Sequence, residues 1–293
     1  MHRSDKRMNR GFLPTLGGKQ LWTDWQWADG WRLQRFCWGD IARIVDHRNR
    51  LVSCGRFSQQ SERFDSAIGQ GTIGYPSKSV VVLLHGLSRT RSSMWRLEKE
   101  IERRTEYTPV RLSYCSTRKP LAKNAEALRQ VLSRFENVSS IDFVCHSMGN
   151  LVVRRMLHDC QRRTSNLPFR RMVMLGPPNQ GSRMARWLKF SLIFNLLSAR
   201  GGREFSWNWD TVKSQLATPY FEFGIIAGAQ QKLKWFSNPF LPGTDDWTVA
   251  TSETDLEGAA DTMVGPYLHG SIMSNRRVID ATIQFLHTGK FKT

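Results

Sequence analysis

The sequence predicts an α/β fold with a mainly parallel sheet and helices on both faces, and three observations predict it. Short apolar runs, Val80–Leu84, 141–145 with Asp142 as its one polar residue, and Met172–Leu175, have the composition of strands buried on both sides. Between them lie stretches whose apolar residues recur at helical spacing. Each apolar run also ends abruptly in a turn: His85-Gly86, His146–Gly149 and Gly176–Gly181. Strands alternating with helices form parallel sheets with both faces covered, and 293 residues suffice for one such core plus an addition.

The elements follow in order. Residues 1–75 do not fit the alternation and are expected to form a small β-rich extension. Trp22, Trp25, Trp27, Trp31 and Trp38 crowd a short span there, and Trp31–Phe36 with Ile41–Val45 reads as a hairpin around Cys37-Trp38-Gly39-Asp40. The tryptophans suit the core or packing face of a small β-element, or a site for a sugar, a base or a polyester chain. The stretch from Gly69 to Ser79 reads as the connection to a core over residues 76–293. In that core, Val80–Leu84 is a strand, Met94, Leu97 and Ile101 mark a helix, and Val110–Leu112 is the next strand. Pro120 suits a helix start, and Leu121, Ala125, Leu128, Leu132 and Phe135 form its apolar stripe. After residues 141–145 comes a helix carrying Leu151, Val152, Met156 and Leu157, then a strand ending at Leu175. Glu222–Gly228 is another strand, and Val278, Ile279, Ile283 and Leu286 form a closing helix ended by Gly289.

The most informative string is Cys145-His146-Ser147-Met148-Gly149, a strand, a sharp turn and a helix with a serine at the apex. It resembles the nucleophile elbow of the α/β-hydrolases, with Cys145 standing at the first glycine of the G-x-S-x-G pattern. Gly176-Pro177-Pro178-Asn179-Gln180-Gly181-Ser182 is similar to the Leu-Gly-Thr-Pro-Asn-x-Gly-Ser segment of lipase-like members, with Pro177 at the usual threonine. The resemblance covers roughly residues 78–290. It implies a serine hydrolase of the lipase/esterase group that cleaves carboxylic esters, of hydrophobic or lipid-like substrates, through an acyl-enzyme.

The resemblance also assigns roles. Ser147 is the expected nucleophile, and the turn at His85-Gly86 is expected to give the Leu87 N–H to an oxyanion hole completed by Met148 N–H. The superfamily order Ser, acid, His is met by Ser147, Asp246 and His269, with Asp246-Trp247-Thr248-Val249 resembling the Asp-Gly-x-Val acid segment. Asp245 is the rival acid, and Asp255 and Asp261 are further ones among polar loop residues. His85 reads as a loop prop rather than a base, and His146 as a residue shaping the pocket. His2, His47, His158 and His287 read as surface residues. No H-E-x-x-H string, Cys-x-x-Cys pair or glycine-rich phosphate loop is present, so neither a metal nor another cofactor is expected.

The segment Ala185–Ala199 is the most hydrophobic of the chain, yet Lys189, Ser191 and Asn195 interrupt it and it falls short of the ~20 apolar residues of a spanning helix. It reads as part of a lid around residues 183–215 or as a helix packed on the core. Lysine and arginine exceed aspartate and glutamate by 43 to 25, a net charge of +18. The excess is dispersed, which speaks against nucleic acid and leaves an anionic membrane surface as an expected partner beside the small-molecule ester or lipid. Five scattered cysteines suggest a reducing compartment, and Gly11–Gly18 is not the apolar core of a signal peptide, so a cytoplasmic, membrane-peripheral setting is expected. Two other functions fit the same residues: an acyltransferase using the same triad, and a non-catalytic, membrane-associated interaction protein.

Overall fold

A computed structural model of the chain describes residues 20–161, 167–181, 209–229, 249 and 251–292. Six strands of the core, β5 (Val80–Leu84), β6 (Thr108–Leu112), β7 (Ile141–His146), β8 (Phe169–Leu175), β9 (Glu222–Gly228) and β10 (Asp261–Gly265), form one sheet. Its order is β10-β9-β8-β7-β5-β6, and every pairing is parallel. Val82 of β5 sits between Val110 of β6 and Phe143 of β7, so the first apolar run is the inner strand that the sequence predicts.

Because side chains alternate along a strand, a run buried on both faces feeds two cores. Val80, Val82 and Leu84 face one cluster, with α3 (Leu121–Leu132) and α4 (Met148–Gln161) above them. Val81 and Leu83 face the other, built with Leu97 and Ile101 of α2 (Trp95–Arg104) and the apolar stripe of α6 (Arg276–Thr288). Gly289 ends α6 in the left-handed region at φ 77°, as the sequence leads one to expect. The α3 stripe extends less far than predicted: the helix stops at Leu132, and Phe135 is buried just beyond it.

A second departure concerns β10. Asp261 opens an edge strand paired with Gly224 rather than lying in a loop. The strand alternates between half-buried and exposed residues, so it lacks the apolar run that marks the inner strands. Asp261 lies at its amino end, where its carboxylate accepts from the Phe291 and Thr262 N–H groups.

The N-terminal part holds the predicted hairpin of β2 (Trp31–Phe36) and β3 (Ile41–Val45), and it holds more. The hairpin is flanked by β1 (Trp22–Ala28) and β4 (Leu51–Arg56) in an antiparallel sheet ordered β1-β2-β3-β4, followed by α1 (Phe57–Gly69). Leu33, Ala42 and Ile44 pack with Phe64 of α1 in a core of their own. Trp27 instead joins the main core, edge-on to Phe135 at 6.2 Å. Among the described residues no helix is long and apolar enough to cross a membrane.

Candidate active site

In this sheet the chain leaves β5 for β6 on one side and then crosses to β7 on the other. Such a reversal opens a crevice beyond the carboxyl ends of the two middle strands, where open α/β sheets place their ligands. His85-Gly86 follows β5 there, and Ser147 follows β7.

Ser147 is held at φ 50°, in the left-handed region that a residue with a Cβ rarely adopts. Its N–H donates to Leu175 O at 2.9 Å, and its carbonyl accepts from Asn150 N at 3.1 Å and Asn150 Nδ2 at 2.9 Å. The turn leaves no room around it. A Cβ on Gly149 would stand 2.9 Å from both His85 O and Leu84 O, and one on Gly86 would stand 2.7 Å from His146 Nδ1 and 3.0 Å from Ser147 Cβ. Glycine at both positions is therefore required by the approach of the β5 and β7 turns. Cys145 fits at the other side of the turn as a buried side chain whose thiol is pushed up by burial. Met148 opens α4, so its N–H is one of the first-turn donors that no helical carbonyl can reach.

The His85 loop is fixed from below. The His85 ring stacks on Tyr114 with centroids 4.2 Å apart, its Nδ1 lies 2.9 Å from Gly86 O, and Tyr114 donates its hydroxyl proton to His85 O. Burial lowers the His85 pKa to about 4, so the ring is neutral near pH 7. That environment matches a prop.

His269 comes after the carboxyl end of β10 and is 7% exposed. His146, the residue before Ser147, reaches it: His146 Nε2 lies 3.0 Å from His269 O, and the two rings are 4.7 Å apart. A carbonyl only accepts, so His146 carries its proton on Nε2. Burial above all, and then the neighbouring His269 and Arg89, hold His146 well below the usual imidazole range. The fold thus gathers Ser147, Met148, the Leu87 loop and the His269 backbone at one end of the sheet.

The Pro178-Asn179 string has a structural meaning that sequence alone does not supply. Buried Asn179 accepts from Arg154 Nη1 of α4 at 2.9 Å and donates to Thr254 O at 2.7 Å. It ties the turn after β8 to α4 and to the loop between β9 and β10. Asp245, Asp246 and the apolar stretch 185–199 lie outside the described residues, as does all of the expected lid but residues 209–215, where a short helix α5 (Trp209–Lys213) buries Trp209 in the main core. Glu253, a buried carboxylic side chain in the β9–β10 loop, is one that sequence reasoning passed over, since it follows no strand directly. Asp255 is exposed.

Residues 49–208, more than half of the chain, match a family described as a domain of unknown function, DUF7379. No curated protein matches the sequence. Among solved structures, the mature form of the Bacillus licheniformis lipase BlEst2 is 18% identical with a TM-score of 0.57, covering 73% of this chain and 93% of that one. The lin2722 gene product of Listeria innocua is 17% identical with a TM-score of 0.51, covering 74% and 96%. Phospholipase PlaB of Legionella pneumophila is 16% identical with a TM-score of 0.50, covering 61% and 45%. The fold is that of the α/β-hydrolases.

Proposed function

The chain belongs to the DUF7379 family, and we propose that it is a serine hydrolase of carboxylic esters. The observation that carries this reading is the backbone of Ser147. A serine forced to φ 50° between the end of β7 and the start of α4, against two glycines that tolerate no Cβ, is strain that a mere β–α turn does not need.

Ser147 Oγ attacks the ester carbonyl carbon and passes its proton to His269, while Asp246 orients the imidazole and stabilises the imidazolium. The Leu87 and Met148 N–H groups receive the oxyanion. Preorganised donors of this kind typically lower a barrier by roughly 3–4 kcal/mol each. Collapse of the tetrahedral adduct expels the alcohol, which takes the proton from His269. Water then attacks the acyl-enzyme, giving a proton to His269, and the second collapse frees the acid and returns that proton to Ser147.

Hydrophobic or lipid-like esters are the substrate class. The supports are the apolar stretch 185–199 and the lipase and phospholipase names of two neighbours in fold. The net charge of +18 further suits an anionic lipid surface. Hydrolysis of p-nitrophenyl esters of increasing chain length tests the reading. Each added methylene that is buried contributes about 0.8 kcal/mol, so kcat/KM rises from acetate towards medium chains. Acetate preferred throughout the series contradicts the substrate class, and no hydrolysis of any ester contradicts the activity.

A further inference from the structure

The reaction above makes no use of the N-terminal sheet, yet that sheet is bonded to the loop that carries the Leu87 N–H. The link is the turn after β6, residues 113–117. The first residues of β1 run beside it: Asp24 N donates to Ser113 O at 2.9 Å, and Ser113 N donates back to the Asp24 carboxylate at 2.6 Å. Cys115 N donates to Thr23 Oγ1 at 3.2 Å, and the Thr23 hydroxyl donates to Cys115 Sγ at 3.1 Å. The turn is therefore fastened to the extension at two successive points.

It passes that support on. Tyr114 holds His85 by ring stacking and by its hydroxyl, as described. Ser116 Oγ accepts from Ser88 N at 3.1 Å and donates to Gln20 Oε1 at 2.8 Å. Gln20 Nε2 in turn donates to Arg89 O, so one side chain uses both ends of its amide to clasp the two loops together. Leu87 lies between the residues so held, and its neighbour Ser88 is at φ 56°, a conformation that needs outside support in a residue with a Cβ. Among the described residues the Leu87 N–H donates to no backbone carbonyl.

We infer that Gln20 is a positioning residue: the N-terminal extension braces the oxyanion loop through Gln20 and Ser116 and aims the Leu87 N–H at the reacting carbonyl. The inference rests on the ester-hydrolase reading. An oxyanion donor acts only when it is already aimed, and displacement by about 1 Å can cost ~100-fold in rate.

Full-length Gln20→Met, which keeps the side-chain length and removes the hydrogen bonds to Arg89, Ser116 and Thr117, is the test. We expect kcat on p-nitrophenyl butyrate to fall ~10- to 100-fold while KM stays within about twofold. Affinity for a trifluoromethyl ketone, whose adduct carries the oxyanion, falls by the same factor as kcat. Amide exchange quickens over residues 85–89 and is unchanged in β7. Ser116→Ala gives the same pattern and serves if Gln20→Met does not fold. Unchanged kcat, or a loss shared between KM and thermal stability with no change in exchange at 85–89, overturns the inference. A wild-type protein inert towards every ester defeats the ester-hydrolase reading instead. The exchange measurement then still decides the brace, upheld by faster exchange over residues 85–89 and overturned by unchanged exchange.

Discussion

The two sheets of this protein bury their strands by different chemistry. Strand β5 is five apolar residues, all buried, and its neighbour β7 differs chiefly by Asp142, whose carboxylate is matched by Arg170 Nε at 3.0 Å and Arg171 N at 2.9 Å. Strands β1 and β2 also lie largely inside, but with Thr23, Asp24, Gln26, Arg32 and Gln34 among their buried residues. Those side chains are joined rather than excluded from polar company: Gln34 donates to Asp24 at 2.6 Å, Arg43 donates to Gln34 at 2.8 Å, and Arg32 donates to Asn49 at 2.6 Å. The first sheet is held by burial of hydrocarbon, and the second adds hydrogen bonds between buried polar side chains. The difference teaches that depth in this protein is signalled by composition only where no polar partner is at hand.

The sharpest contrast between the regions is in turnover. Asp246→Asn should lower kcat by up to ~10⁴-fold, because an amide leaves the imidazole in the wrong tautomer, while Asp245→Asn changes it little. Steady-state rates for the two variants decide the register of that loop. A larger effect from Asp245→Asn places the acid one residue earlier, and a small effect from both moves the role elsewhere, with Glu253→Gln the next variant to measure.

Stability separates the extension from ornament. Trp27 is buried against the main core, so Trp27→Ala should cost about 3–5 kcal/mol in urea unfolding. Trp38 is 53% exposed, and Trp38→Ala should cost no more than about 0.5 kcal/mol. Equal effects would mean that the extension does not fold with the core.

Acid should loosen the site from within. His85 is held neutral, its pKa lowered from 6.5 to about 4 by burial, and His146 is lowered as well. Below pH 6.5 the unfolded chain binds protons that the folded one refuses, so this stability is complete above pH 6.5 and is lost as pH falls towards 4. His85 alone accounts for about 3 kcal/mol of it. Unfolding midpoints between pH 7 and 4 should show the slope, and His85→Gln should reduce it. A His85→Gln protein with the wild-type slope contradicts this account. Smaller again is Gly149→Ala, whose new methyl meets two backbone carbonyl oxygens at 2.9 Å. It should destabilise by roughly 1–3 kcal/mol, read as a lowered melting temperature.

The same contrast explains what could be read from the sequence. Strands β5, β7, β8 and β9 announce themselves as short, mostly apolar runs, and helices α2, α3, α4 and α6 by apolar residues at helical spacing. Strand β1 hides because Thr23, Asp24 and Gln26 look like surface residues until their partners are known. Helix α1 buries only Gln60 and Phe64 and has no side-chain cap, and β4 is mostly exposed. Edge strand β10 hides for the same reason, which made Asp261 look like a loop residue. At the candidate site, the sharp turn at Ser147 was legible through Gly149 and the His85-Gly86 pair, because close backbone approach restricts residue type. The bond from His146 to the His269 carbonyl and the Gln20 clasp were not, since they join positions 123 and 69 residues apart.

The proposed reaction requires Ser147 to be a nucleophile, and covalent labelling tests that most directly. Wild-type protein treated with a fluorophosphonate should gain one phosphonyl group, mapped to Ser147 by peptide mass spectrometry. Ser147→Ala, which the tight turn accommodates, should gain none and should lose esterase turnover by several orders of magnitude while keeping its fold. A wild-type protein left unmodified, or a folded Ser147→Ala that retains more than about a tenth of the activity, would contradict the account.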